Sequence, residues 1–248
     1  MKRLFKDIRQ GNIDTVRSAL QKHPEAVNEI FDGKAPKKDI GQSPLQVAIK
    51  CGQFEIIELL LENGADADFM ENPADVPPHS VCMPVLHDAI IGAMVALLYH
   101  HYESSRKYAA LVGTLLEKGA DPNKETFCGD NPANNALPVC TLVMHAKENL
   151  QRFTSSTVDK DDAALAASKK ALFDILDMLK RYGADFDRWL DSEWGDETFR
   201  EAFLEDFVPK ADMPFEVKYH GRVIKGVSDN SIDRNKEIRA ALREYFQK

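Results

Sequence analysis

Three phrases along the chain end alike. Leu59-Leu60-Leu61-Glu62-Asn63-Gly64-Ala65-Asp66, Leu115-Leu116-Glu117-Lys118-Gly119-Ala120-Asp121-Pro122-Asn123 and Met178-Leu179-Lys180-Arg181-Tyr182-Gly183-Ala184-Asp185 each run from an apolar stretch into Gly-Ala-Asp. A weaker copy spans Ala19 to Asn28, through Pro24 and Ala26. Glycine at 64, 119 and 183 suits the left-handed residue that ends a helix, where a side chain clashes. Recurrence of one helix-ending phrase predicts a stack of similar helical units, each burying its apolar face on a neighbour.

One unit is readable whole. Ser43 is placed to cap a helix, with Pro44 at its first position, where no N–H is needed. Leu45, Val47, Ala48 and Ile49 supply a short apolar helix and Gly52 breaks it. Phe54, Ile56, Ile57, Leu59, Leu60 and Leu61 then predict a second helix with wide apolar coverage, which must be sandwiched between neighbours.

Gly41-x-Ser43-Pro44-Leu45-x-x-Ala48-x-x-x-Gly52-x-x-Glu55-Ile56-Ile57-x-Leu59-Leu60-Leu61-x-x-Gly64-Ala65-Asp66 resembles the ankyrin-repeat consensus without a gap. The segment Leu4 to Val16 looks like a capping repeat of that family, with Gly11 aligned to Gly52. The resemblance implies a mainly α fold, an ankyrin-repeat solenoid of about four helix-turn-helix units. The approximate units are 1–32, 37–70, 80–124 and 129–187.

Two units depart from the family period of about 33 residues. The third opens at Met83-Pro84-Val85-Leu86-His87-Asp88-Ala89, similar to the family's Thr-Pro-Leu-His-x-Ala with one residue added, and closes at Gly119 roughly 15 residues late. Either its first helix is extended or the loop between its helices is enlarged, with Ser104 or Ser105 a candidate cap for the second helix. The fourth opens at Leu137-Pro138-Val139-Cys140, with a first helix expected to about Asn149, a polar stretch from Gln151 to Asp162, and a helix from Ala163 to Tyr182. Its excess is roughly 25 residues. The proline-bearing stretch Asp68 to Ser80 reads as a surface loop. The segment Phe31 to Asp39, with Lys34, Lys37 and Lys38, reads as a projecting finger.

After Asp187 the pattern stops. Trp189, Leu190, Trp194, Phe199, Phe203, Leu204 and Phe207 have the spacing of one helix with an aromatic face, in a stretch rich in Asp and Glu. That acidity suits mimicry of nucleic acid, attraction of a basic partner or a solvated helix face. Phe215 to Ile224 alternates around His220-Gly221, a hairpin signal. A last helix is expected from Arg234 to Phe246. Residues 188–248 are expected to be a C-terminal cap, which a solenoid needs for its last open face, or a small appended module.

Composition narrows the function. With 32 Lys and Arg against 40 Asp and Glu, a formal charge of −8 and a pI near 5.4, a general affinity for nucleic acid or an anionic membrane is not expected. The first residues lack the apolar run of a secretory signal, and no stretch reaches the roughly 18 apolar residues of a membrane span. The scattered Cys51, Cys82, Cys128 and Cys140 do not form a disulfide framework, so a cytoplasmic setting is expected.

No phosphate-binding, nucleophile-elbow or His-Glu-x-x-His motif occurs. Cys82-x4-His87 and Cys140-x4-His145 have spacing outside the usual zinc patterns, and their places relative to Pro84 and Pro138 differ. His87 resembles the family histidine that bonds within its repeat's first turn, and Cys140 reads as a core residue. Asp159 to Asp162 lacks the glycine and final glutamate of a calcium loop. No cofactor, no metal and no catalytic residue are expected, and the chain is read as not an enzyme.

Ankyrin proteins bind partners on the concave surface of finger tips and first helices. Carried onto the two regular units, the variable positions of that surface fall on Arg9, Gln10, Asp39, Ile40, Gln42, Lys50 and Cys51. In the irregular parts, Phe31, Phe69, Met70, Phe127 and the group Tyr99, His100, His101 and Tyr102 are candidate anchors, since affinity concentrates in a few such side chains. The tyrosines and histidines of that group equally fit a helix end with tyrosines inward and histidines solvated. The expected role is non-catalytic protein binding, as an adaptor or as an inhibitor or immunity-type protein that occludes a partner with a basic surface. An enzyme or modifier acting through the C-terminal region, with repeats for targeting, is an alternative, and a multi-partner scaffold is another.

Overall fold

The computed structural model describes residues 2–33, 36, 39–129, 135–154, 160–194, 197–219 and 222–247. The chain divides into two compact units, Met1–Trp189 and Leu190–Lys248. Among its described residues the first holds four helix pairs: α1 (Lys2–Arg9) with α2 (Ile13–Lys22), α3 (Pro44–Lys50) with α4 (Phe54–Glu62), α5 (Val85–Leu98) with α6 (Tyr102–Glu117), and α7 (Pro138–Thr154) with α8 (Asp162–Arg181). First helices pack in order, α1 on α3, α3 on α5 and α5 on α7; α2 packs on α4, and α6 on α8.

Local sequence accounts for these boundaries. Ser43 Oγ accepts the Gln46 N–H at 3.2 Å and Pro44 follows at the first helical position. Leu45, Val47, Ala48 and Ile49 are buried, as are Ile56, Ile57, Leu59, Leu60 and Leu61 of α4. Gly64, Gly119 and Gly183 have φ of +85°, +98° and +88°. An added Cβ would meet nothing within 4 Å at any of them. Glycine is therefore needed there for the backbone torsion alone.

The long third and fourth units are long because their helices are. Helix α5 has 14 residues against 7 in α3, and α6 has 16 against 9 in α4. Both gain 7, about two turns, while three residues join the helices in either pair, 51–53 and 99–101. The enlarged-loop alternative does not apply to the third unit. In the fourth, α7 has 17 residues and α8 has 20, gains of 10 and 11 over α3 and α4. Helix α7 runs past Asn149 to Thr154 because Leu150 and Phe153 are buried, at 2% and 0% exposure. Asp161 caps α8, its Oδ1 accepting the N–H groups of Ala163 and Ala164, both at 2.9 Å.

Two serines are corrected in role. Ser105 is buried inside α6, which starts at Tyr102, and neither it nor Ser104 caps the helix. The turn is made instead by His100, with φ of +60°. Lys34, Lys37, Lys38, Asp159 and the His220-Gly221 turn lie outside the described residues.

The single aromatic helix expected after Asp187 is not what forms. Helix α9 (Phe186–Leu190) is followed by a short ladder of β1 (Glu193–Trp194) and β2 (Glu197–Thr198), then α10 (Phe199–Phe203). A capping box starts α10: the Glu201 N–H donates to Thr198 Oγ1 at 3.2 Å, and the Thr198 N–H to Glu201 Oε2 at 2.6 Å. Strands β3 (Pro214–Tyr219) and β4 (Arg222–Val227) form the expected hairpin and α11 (Lys236–Phe246) follows. Helix α11 packs on α10, and its buried Arg239 donates to the carbonyls of Glu201 and Glu205 at the end of that helix.

Candidate functional site

The first helices carry a strip of paired charges. Arg9, at the end of α1, forms an ion pair with Asp39 in the connection ahead of α3. Its guanidinium also lies 5.7 Å from the Phe31 ring centre. One unit further, Lys50 at the end of α3 sits between two carboxylates, 3.4 Å from Glu71 and 3.6 Å from Asp88. Glu71 accepts from Gln42 at 3.4 Å and from the Met83 N–H at 2.7 Å. Gln46 Nε2 donates to Asp88 at 3.1 Å and to the Met83 carbonyl at 2.9 Å. Helices α1, α3 and α5 and their connections thus contribute to one polar strip.

The charges of this strip are not equally free. Burial raises Asp88 to about 7, against the pull of Lys50 and Gln46, so near neutrality the carboxyl is divided between its two forms. Burial lowers the Arg9 pKa from its ordinary value, partly opposed by Cys51. The exposed members are Gln10, Lys50 and Cys51; Ile40 is half-buried.

Three of the candidate binding residues, Phe31, Asp39 and Gln42, are buried. Phe31 is 3% exposed and does not project. Its ring meets Phe5 edge-on at 5.0 Å, and its backbone pairs with Gly41 and Gln42 in a local ladder at 2.9 Å. Asp39 and Gln42 are buried as well, tied up by Arg9 and Glu71. They shape the strip from below. Phe69 and Met70 are half-buried in the connection between α4 and α5, where the Phe69 carbonyl accepts the Val85 N–H at 3.0 Å. Phe127 is 36% exposed and pairs with Cys82 through two backbone hydrogen bonds of 2.9 Å.

Tyr99, His100, His101 and Tyr102 form a separate group at the turn of the third helix pair. The 14 residues of α5 put about 20 Å between that turn and the connections bearing Glu71. Tyr99 is 61% exposed; His100 Nδ1 lies 3.3 Å from Tyr102 Oη and 3.4 Å from Asp161. The sequence candidates therefore divide into a charged strip and an aromatic turn.

Reading the sequence missed Gln46, Glu71 and Asp88. Asp88 left one trace, as the lone Asp, Glu, Lys or Arg in an otherwise apolar helix. Gln46 stands one unit before His87 at the equivalent place, and both reach forward. His87 Nε2 lies 2.9 Å from the Lys124 carbonyl, and its Nδ1 lies 2.8 Å from Thr141 Oγ1 on α7. This histidine joins two units rather than bonding within its own first turn. A carbonyl only accepts, so Nε2 carries the proton and Nδ1 accepts from the Thr141 hydroxyl. Burial pushes His87 down to about 4, opposed by the bond to Lys124, and the ring is neutral at pH 7.

Both His87 nitrogens are thus engaged, and among the described residues no group of three or more His, Cys, Asp or Glu could hold a metal ion. Burial raises the Cys140 thiol to about 11, as befits a core residue. No helix among the described residues is long and apolar enough to cross a membrane.

A family model described as "Ankyrin repeat" matches residues 41–69, which hold α3, α4 and the first residues of the connection that follows. No curated protein matches the chain significantly. The protein is mainly helical, with a small ankyrin motif and a C-terminal β-hairpin.

Proposed function

We propose that the chain is a non-catalytic protein-interaction module, built as a four-repeat ankyrin-type solenoid. It acts as an adaptor or as an inhibitor that occludes a partner's surface. The observation that carries this reading is the charged strip across α1, α3 and α5. Successive units pair Arg9 with Asp39 and Lys50 with Glu71 and Asp88, holding exposed Gln10, Lys50 and Cys51 on a preorganised base. Preorganised side chains lose little entropy when a partner docks. An acidic chain, at −8, favours a partner with a basic surface.

Affinity purification with the whole chain as bait tests this, using variants at exposed strip positions that leave the ion pairs in place. Gln10→Arg and Cys51→Arg together are expected to abolish capture of the stoichiometric partner while the melting curve is kept. Retained capture by that variant, with loss on Tyr99→Ala and His101→Ala, would move the binding site to the aromatic turn and sink the strip reading.

A further inference from the structure

The second helices of the two long pairs leave a groove between them. Helix α6 turns Tyr102, Ser105, Arg106 and Ala109 towards it, and α8 turns Ala167, Lys170, Ala171 and Asp174. On each helix these are the i, i+3, i+4 and i+7 positions of one face. Four alanines line it, Ala109, Ala110, Ala167 and Ala171, so the facing side chains do not fill the space between the helices. A groove of about 660 Å³ is left. Met178 closes one end, where a Cβ on Gly113 of α6 would fall 3.2 Å from its Sδ.

Size decides what this groove admits. Tyr102 to Gly113 on α6 and Ala167 to Met178 on α8 each span about 16 Å. Spread over that length, the volume gives a channel about 7 Å across. A helix with its side chains is about 10 to 12 Å across and does not enter it. One extended chain of methylenes does.

Polar groups mark the end away from Met178. Ser105 is 3% exposed, and its side chain makes no hydrogen bond with any described residue. A serine inside a helix can bond the carbonyl four residues back, and this one does not. Arg106 follows it at the rim, exposed, and has no ion pair or side-chain hydrogen bond with any described residue. The other charges of the rim are Lys170, Asp174, Asp177 and Arg181. Lys170 and Asp174 hold each other, and Asp177 is engaged as well. Arg181 has no ion pair among the described residues, so both charges left over at the groove are cations. A buried hydroxyl without a partner beside a free guanidinium offers three donors to one carboxylate.

We propose that the groove between α6 and α8 binds a single-chain anionic amphiphile, a long-chain carboxylate. Its head accepts from Ser105 and Arg106, and its alkyl chain lies over the four alanines towards Met178. Arg106 takes the head rather than Arg181, because the buried hydroxyl is beside it.

Isothermal titration of the whole chain with dodecanoate, below its micellar range, reads the outcome. One site is expected, with a dissociation constant on the order of ten micromolar. Decanoate should bind roughly tenfold more weakly, because two fewer methylenes are buried. Arg106→Gln, at an exposed position without a partner to lose, should weaken dodecanoate by about tenfold or more. Arg181→Gln should weaken it by less than about threefold, since its charge acts only at a distance. Ala167→Leu sets a side chain in the channel at a half-buried position and leaves every charge in place, so binding should be lost with the fold kept. Dodecyltrimethylammonium, the same chain with the opposite charge, should not bind. No binding of dodecanoate to the wild-type chain, equal binding of the cation, or full affinity in Arg106→Gln or Ala167→Leu would each overturn the proposal. An Ala167→Leu chain whose sedimenting mass differs from that of the wild type would overturn it too, by assigning the groove to a second copy.

Discussion

Asn28 and Asn123 make the same pair of hydrogen bonds to the helix pair that follows each of them. Asn28 Nδ2 donates to the Gly64 carbonyl at 3.0 Å and its Oδ1 accepts the Asp66 N–H at 2.8 Å. Asn123 does so with the Gly183 carbonyl at 2.9 Å and the Asp185 N–H at 2.7 Å. Asp68 holds the equivalent place between them. Its carboxylate accepts the Asp121 N–H at 3.0 Å but has no proton for a carbonyl, and pairs with Lys124 instead. The Gly-Ala-Asp phrase is thus both a helix stop and a socket for the preceding unit.

The Asn123→Asp variant keeps the acceptor for Asp185 and sets a carboxylate oxygen against the Gly183 carbonyl. A loss of about 1 to 2 kcal/mol in urea unfolding is expected, since one hydrogen bond becomes a repulsion. Asn28→Asp should lose stability with the same sign. A midpoint unchanged in both would mean that these clamps contribute nothing.

The sequence made this much of the fold legible because helix ends are local. Gly64, Gly119 and Gly183 announce themselves by torsion, and Ser43-Pro44 by capping. The length of α5 to α8 was ambiguous, because a polar run such as Gln151 to Asp162 fits either a loop or a solvated helix face until the burial of Phe153 is known. The break after Leu190 was also written locally, in the Thr198-x-x-Glu201 box, but the aromatic spacing across it imitated one helix. The strip was half legible. Family resemblance pointed to Arg9 and Lys50, whereas Glu71 sits 21 residues beyond Lys50 in a connection that carries no periodicity.

Among the described residues, Lys50 is the one cation paired with both Glu71 and Asp88, whose side chains are 4% and 7% exposed. Lys50→Met leaves two buried carboxyls without a counter-ion, and about 2 to 4 kcal/mol should be lost at pH 8. The loss should shrink at pH 5, where Asp88 holds its proton and needs no ammonium. Adding Asp88→Asn to Lys50→Met should recover part of the stability at pH 8. A loss that is the same at both pH values would contradict this account of the cluster.

His87 and Asp88 are neighbours in α5 with opposite pH linkage. Unfolded His87 protonates near 6.5 and the folded ring only near 4, so this residue removes stability as pH falls from about 6.5 to 4. Folded Asp88 protonates near 7 and the unfolded carboxyl near 3.8, so it adds stability over almost the same interval. The wild-type chain should change little between pH 7 and 4 on their account. Asp88→Asn should expose the histidine slope, a fall of about 3 kcal/mol across that range. His87→Gln, whose amide can reach the Lys124 carbonyl as Gln46 reaches Met83, should show the reverse slope. Parallel stability profiles for the two variants would refute the assignment.

The junction between the short and long helix pairs rests on Gly92. Tyr108 of α6 crosses to α3, donating to the Ile49 carbonyl at 2.8 Å and meeting Phe54 edge-on at 4.8 Å. Its ring passes so close to α5 that a Cβ on Gly92 would fall 2.6 Å from two ring carbons. Alanine is the better helix former by about 1 kcal/mol, and on propensity alone Gly92→Ala should stabilise α5. The ring must move to admit the methyl, which breaks the hydrogen bond to Ile49 and opens the packing, so a net loss of about 1 to 3 kcal/mol is expected. Tyr108→Phe, which removes only the hydroxyl, should lose about 1 kcal/mol. Combining Gly92→Ala with Tyr108→Ala should cost less than the sum of the two single changes, because the smaller side chain removes the clash. Thermal melts of these variants give the comparison, and a Gly92→Ala chain more stable than wild type would show that Tyr108 is not held against α5 in solution.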